Sequence, residues 1–387
     1  MKKNYFLLIL LFFTINQSKA QSSFIEKIKS HAKRYKEKRD STIQNGGFLI
    51  DPFLGPGFSP ENGFTIGGGV LATFKTDRLD SIIPRSTATA LLNFSTSGSI
   101  GFAIASTTYW KKDKIRVFAV FAGKSMPDHY FGVGFKNGYH TPFPDSTNFK
   151  REWITATIRP IFRLGKTNAF IGPDLNFNYT KAIKVNHHMA QDSSYIIGGS
   201  KNHSLGLGLI FTYDSRDNPP NAKKGWYAMT RFTVYNKSLG SKNNYNLTAF
   251  DLRYYLSLFK KYRVFAFAYK FQYNFGEIPW SEMPSLGSDA DLRGYRIGKY
   301  RDVCTNTFTL EYRHKFYWKN KATKHGMILF SSIGCMGKDV KSSLFTRVLP
   351  SVGIGYRFEL QPGLNLRIDF GFGFESSATY FNFGESF

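Results

Sequence analysis

The sequence predicts an all-β fold, a transmembrane antiparallel β-barrel of about sixteen strands with a long outer loop. Three observations point there. Beyond the N-terminal leader, no stretch approaches the ~20 apolar residues that a membrane helix needs. Aromatic residues make up 17% of the 387-residue chain and glycine is abundant. Apolar and polar residues alternate over segment after segment. Over 364–374, Leu364, Leu366, Ile368, Phe370, Phe372 and Phe374 take one face, and Asn365, Arg367, Asp369, Gly371 and Gly373 take the other. A strand with lipid outside and water inside needs that split.

The elements follow in chain order. Residues 1–20 read as a signal peptide: Lys2 and Lys3, an apolar run from Phe6 to Ile15, then Ser18-Lys19-Ala20 as a cleavage site. An exported, outer-membrane protein is expected. Residues 21–62 read as a short periplasmic segment. Phe24, Ile25, Ile28, Ala32 and Tyr35 recur there at helical spacing among many Lys and Arg, so 24–40 reads as an amphipathic helix or a solvated leader. The barrel is expected over 63–387. Its strands fall near 63–75, 86–96, 99–110, 114–124, 129–138, 151–164, 168–181, 201–214, 225–236, 244–258, 262–274, 303–316, 326–336, 346–358, 363–374 and 379–387. With a periplasmic N-terminus, loops after odd strands face outward. These include the long connections at 139–150, 182–200 and 275–302, whereas most periplasmic turns are short.

The net charge of +25 suggests an anionic partner, such as lipopolysaccharide headgroups or acidic client chains. Basic residues are spread over turns and lumen faces without a compact basic helix, which argues against nucleic acid. No GxSxG element occurs, and His129, His140, His187, His188 and His203 have no matching serine and acid. No enzyme, cofactor or metal site is expected. Symmetric pairing about a turn near Lys319 and Asn320 sets Cys304 opposite Cys335. A cross-strand disulfide in an oxidising compartment and two buried free thiols both fit that placement.

Four local motifs resemble the BamA/TamA superfamily of outer-membrane assembly and translocation proteins, also called the bacterial surface antigen family. Leu292-Arg293-Gly294-Tyr295 is similar to the tip of the family's sixth extracellular loop. Asp214-Ser215-Arg216-Asp217-Asn218-Pro219, followed by Gly225, is similar to the periplasmic turn before strand 9; its Asx side chains also fit a local turn. Leu366 to Gly371 is similar to strand 15. Phe381-Asn382-Phe383-Gly384 with terminal Phe387 is similar to the closing strand.

The resemblance implies that the long extracellular loop folds into the lumen and sets Arg293 against an acidic group and an aromatic one, matched here by Glu311 and Phe330. Where the family has an aspartate, this chain has Ser332. Either the clamp is weaker or another carboxylate, such as Asp289 or Asp291, compensates. It also implies a poorly paired seam between the first and last strands, through which clients insert. Gly67-Gly68-Gly69 and Gly384 would weaken that seam, although glycines also permit tight curvature.

A POTRA domain of two helices and three strands, at about 11 and 5 residues each, needs about 60 residues with its loops. Residues 21–62 are too few, so a barrel-only member is expected. The implied partners are outer-membrane lipid, unfolded exported or outer-membrane proteins, and periplasmic accessory proteins. A passive or gated channel, or a purely structural barrel, is the alternative.

Overall fold

The computed structural model describes Ser30, Arg34, Glu37, Ser41, Thr42 and residues 45–387, except 60, 61, 142, 144, 145, 259–262, 320, 346, 362 and 363. The leader lies outside the described residues. So does the expected 24–40 helix, apart from Ser30, Arg34 and Glu37, which are helical.

Sixteen strands among the described residues close into one antiparallel barrel. The first half comprises β1 (Leu49–Ser59), β2 (Gly63–Phe74), β3 (Ser86–Ser95), β4 (Ile100–Trp110), β5 (Ile115–His129), β6 (Asn148–Arg163), β7 (Ala169–Ile183) and β8 (Lys201–Asp214). The wall continues with β9 (Gly225–Tyr235), β10 (Tyr245–Ser257) and β11 (Arg263–Gly276). A small hairpin of β12 (Ser285–Leu286) and β13 (Tyr300–Arg301) then stands apart from the wall. The wall is completed by β14 (Cys304–Trp318), β15 (Lys321–Gly337), β16 (Val348–Gln361), β17 (Leu364–Gly373) and β18 (Ser377–Phe383). Helices α1 (Phe135–His140), α2 (His187–Ala190), α3 (Ser193–Gly198) and α4 (Val340–Phe345) all lie in loops at one end.

The strand count agrees with the expectation, but by two cancelling errors. The chain already enters the wall at Leu49, within the segment expected to be periplasmic. Pro52, Pro56 and Gly55 hide β1 from pattern reading, because proline cannot donate to a ladder and argues against a central strand. The expected strand over 129–138 does not form. Gly132 and Gly134 take φ of 83° and 90°, the ladder ends at His129, and α1 follows. Tyr130 and Phe131 turn inward and are fully buried instead of facing lipid.

Adding β1 and removing 129–138 reverses the direction of every strand between them. Counted from 63, the parity rule sends 76–85 outward; in the structure it joins the short turns at the other end. From β6 onward the expected directions hold. The long connections 130–147, 184–200 and 277–303 share one end, the outer one by their length.

Lipid-facing positions are apolar and exposed along the wall, as in Phe308 and Leu310 on β14 or Phe370 and Phe372 on β17. The inner face is polar and largely self-neutralised. Arg159 meets Asp174 at 2.5 Å and Arg231 lies 3.7 Å from the same residue. Asp113 pairs with both Arg116 and Arg163.

Candidate functional site

The connection between β11 and β14 carries the best-defined site. It folds into the barrel as a compact plug. Leu286, Leu292, Tyr295 and Tyr300 are buried with Met336 of β15 and Leu349 of β16. On the outer side, Trp280 is buried among Tyr130, Phe149 and Tyr195, so this loop and its neighbours share one apolar cap.

At the plug's tip, Gly294 takes φ of +104°, and a Cβ there would lie 2.7 Å from the Gly373 nitrogen. The reverse also holds: a Cβ on Gly371 would lie 2.7 Å from the Gly294 nitrogen. Only glycine on both sides lets the loop backbone approach the β17 backbone this closely. The polar groups of the tip are then satisfied in place. Gly294 donates its N–H to the Tyr380 hydroxyl at 3.1 Å, and its carbonyl accepts from Ser376 Oγ at 2.7 Å. The Arg293 carbonyl accepts from Ser351 Oγ. Tyr295 donates its hydroxyl to the Pro350 carbonyl at 2.7 Å and accepts from the Phe374 N–H at 2.8 Å.

This anchoring delivers the Arg293 side chain, 1% exposed, to a prepared socket. Its Nη2 donates to Glu311 Oε1 at 2.5 Å and its Nη1 to Asp369 Oδ2 at 2.8 Å. The guanidinium carbon lies 3.5 Å from the centroid of the Phe330 ring. Phe330 on β15 sits directly across from Glu311 on β14 and from Gly353 on β16. A planar, permanently charged fork is the group that can hold two carboxylates and a ring face together.

The socket extends further. Arg313 reaches Glu311 at 2.8 Å, and Arg357 reaches Asp369 at 2.5 Å and Glu385 at 2.9 Å. Arg367 lies 3.6 Å from Asp369 and also pairs with Asp289 of the plug. Each buried charge therefore has an opposite one, which buried charges require.

The residues singled out in the sequence are distributed as follows. Leu292, Arg293, Gly294 and Tyr295 come together with Glu311 and Phe330. Ser332 is buried but does not touch the arginine; its hydroxyl accepts from Thr309 at 3.0 Å. The second carboxylate on Arg293 is Asp369, not Asp289 or Asp291. Asp289 is taken by Arg367 and by Asn382 at 2.8 Å, and Asp291 accepts from the Ser288 N–H of its own loop at 2.7 Å. Asp369 had a legible signal: it lies inward on the strand where Arg367 does, within a motif already noted. Arg357 carried no comparable signal.

In the periplasmic turn, Asp214 holds Arg216 at 2.8 Å, and Asp217 accepts from the backbone of Lys223 at 2.9 Å. Asn218 precedes a 3-10 turn, and Gly225, with φ of +106°, opens β9. Ala222 of this turn packs with Tyr255 and Phe387.

The cysteines are not bonded. A bulge between Lys315 and Tyr317 shifts the β14–β15 register, so Cys304 faces Gly337 and Cys335 faces Asn306. Cys304 instead donates to Ser343 Oγ at 3.1 Å.

Two corrections concern the barrel's closure. Gly67, Gly68 and Gly69 lie on β2, one strand inside the seam, fully paired with β1 and β3. The seam lies between β1 and β18, which among the described residues meet at a single register position, Phe58 opposite Phe381. By contrast, the β17–β18 ladder runs unbroken from Leu366–Phe383 to Phe372–Ser377.

The final strand also stops at Phe383 instead of running to Phe387. Gly384, with φ of +83°, turns the last residues into the lumen. There Glu385 meets Arg357, Ser386 donates to the Asp289 carbonyl at 2.9 Å, and the Phe387 oxygen accepts from Arg313 at 3.0 Å. Phe387 therefore packs inside the barrel and does not face lipid.

These features define a closed outer-membrane β-barrel with a lumen-anchored loop. The chain belongs to the Omp85 superfamily: the profile of the Omp85 superfamily domain matches residues 87–387. Among solved structures it is similar to BamA from Haemophilus ducreyi lacking POTRA domains 1–3, with a TM-score of 0.58, 14% identity, and coverage of 87% of this chain and 70% of that one. It is also similar to CdiB from Acinetobacter baumannii (TM-score 0.55, 10% identity), covering 87% of this chain and 59% of that one. CdiB from Escherichia coli aligns with a TM-score of 0.56 at 10% identity over 88% of this chain and 68% of that one. At these identities the likeness is one of fold. A search of curated proteins returned no match.

Proposed function

We propose that this barrel helps other polypeptides insert into, or cross, the outer membrane by opening at the β1–β18 seam, without enzymatic chemistry. The observation that carries the reading is the seam itself: one register position among the described residues where the neighbouring ladder is continuous. Its strand chemistry agrees. Pro52 and Pro56 remove two donors from β1, which suits an edge and not a strand paired on both sides. Opening the seam breaks few hydrogen bonds and exposes an edge that an incoming strand can extend. The plug, fixed by Arg293, braces the wall from β14 to β17, next to β18, while the seam parts. The similarity of the loop and turn motifs to assembly and translocation proteins supports the same reading.

A second reading, a plugged or gated channel, is favoured by the plug itself. A cavity of about 690 Å³, bordered by Phe58, Lys124, Arg151, Asp289 and Phe381, lies between the plug, the seam and the wall.

The test is depletion of the protein followed by outer-membrane proteomics, with rescue by wild type or by Phe58→Cys/Phe381→Cys. Opposed residues on paired strands are within disulfide reach. Depletion should lower other barrels or exported proteins, and the locked variant should rescue only after reduction. An unchanged proteome on depletion, or full rescue by the oxidised lock, refutes opening at the seam.

A further inference from the structure

The chain's excess positive charge is not where an outer-surface partner would find it. In the outer loops, basic residues are offset by Asp192, Glu277, Glu282, Asp302, Asp339 and Glu375. The periplasmic turns differ. They carry Lys111, Lys112, Lys166, Lys224, Lys319 and the adjacent Lys321, all exposed.

The acids of those turns are engaged locally. Asp77 accepts from the Leu79 N–H, Asp80 from the backbone of Ile82 and Lys112, and Asp217 from the backbone of Lys223. Asp113 is buried between Arg116 and Arg163. None of Lys111, Lys166, Lys224, Lys319 and Lys321 forms a salt bridge with a described residue.

Depth is set by tryptophan. Of the chain's five tryptophans, Trp110, Trp226 and Trp318 stand at the periplasmic ends of β4, β9 and β14, exposed by 45%, 45% and 72%. Exposed indole at a strand end marks the headgroup level of a bilayer. Each of the three has lysine one or two residues away: Lys111 and Lys112 after Trp110, Lys224 before Trp226, Lys319 after Trp318. The three strands are the fourth, ninth and twelfth of the sixteen in the wall, so the pairs form an arc along its outer rim. Between β2 and β3, Arg78 is followed by exposed Leu79 and Ile82, the same coupling of cation and apolar anchor.

Backbone geometry adds an independent point. Lys111, Lys112 and Lys319 adopt φ of 51°, 56° and 47°, a region that glycine or asparagine enters more easily. Lysine stands at these turn corners although the backbone favours other residues.

We propose that this Trp–Lys arc binds anionic phospholipid headgroups of the periplasmic leaflet. The rim's outward position, at tryptophan depth, favours a lipid phosphate over an acidic protein, which would approach the mouth from below. Each lysine near a charged bilayer surface raises binding by about fivefold.

The test is native mass spectrometry of the purified full chain in micelles supplied with equal phosphatidylglycerol and phosphatidylcholine. Wild type should retain phosphatidylglycerol several-fold over phosphatidylcholine, and less so at high salt. The Lys111→Gln/Lys224→Gln/Lys319→Gln/Lys321→Gln variant should bring the ratio close to one. An outer-loop control, Lys136→Gln/Lys237→Gln/Lys341→Gln, should leave it unchanged. Heat-modifiable migration verifies folding; if the combined variant fails to fold, Lys111→Gln and Lys319→Gln singly should each lower the ratio.

No wild-type preference overturns the proposal, as does an equal loss in the control. A rim that captures an acidic periplasmic protein while showing no lipid preference also overturns it.

Discussion

Replacing Arg293 by alanine removes the one side chain that ties the plug to two carboxylates and a ring. Removing one member of a buried ion pair typically costs about 3–5 kcal/mol. Here Glu311 keeps Arg313, and Asp369 keeps Arg357 and Arg367, so neither carboxylate is stranded. That argues for the low end. The stacking on Phe330, worth about 2 kcal/mol when desolvated, is contained in that loss. A total near 3 kcal/mol follows. With a urea slope of about 3 kcal/mol per molar, the unfolding midpoint should fall by about 1 M.

Arg293→Lys should lose most of the same energy, because one ammonium cannot serve Glu311, Asp369 and the Phe330 face together. Glu311→Gln combined with Arg293→Ala should cost less than the sum of the two single changes. The assay is urea unfolding followed by heat-modifiable migration, with single-channel recording in parallel. A released plug should raise conductance. A wild-type midpoint in Arg293→Ala, with unchanged conductance, would refute the idea that this arginine holds the plug.

Phe387→Ala should destabilise the barrel by about 3 kcal/mol, since it empties a buried site beside Tyr255 and Ala222; the midpoint of heat-modifiable migration measures it. A lipid-facing Phe387 would instead leave that midpoint nearly unchanged. Intact mass under non-reducing conditions should show two free thiols. Both should resist maleimide until the barrel unfolds, because Cys304 and Cys335 are buried.

The fold class was legible because alternation is enforced residue by residue: lipid on one face and a polar lumen on the other leave no freedom at positions such as 364–374. The plug tip was legible through Leu292 to Tyr295 and through the inward parity of Glu311. The first strand was not. Pro52 and Pro56 violate the pattern of an interior strand, and only a seam makes them acceptable. The false strand at 129–138 had the opposite cause. Its aromatics satisfy a lipid-facing pattern equally well when they pack under a loop, and nothing local separates the two.

Side-chain periodicity alone was enough to read this chain as a membrane barrel, and the resemblance of one short motif was enough to expect its arginine-tipped loop to turn inward. Which carboxylates clamp Arg293, where the seam lies and how the chain ends were settled by strand closure and packing. Those outcomes depend on register and closure. A bulge after Lys315 moved Cys304 away from Cys335, one added strand reversed the early topology, and the turn at Gly384 ended the last strand early and carried Phe387 into the lumen.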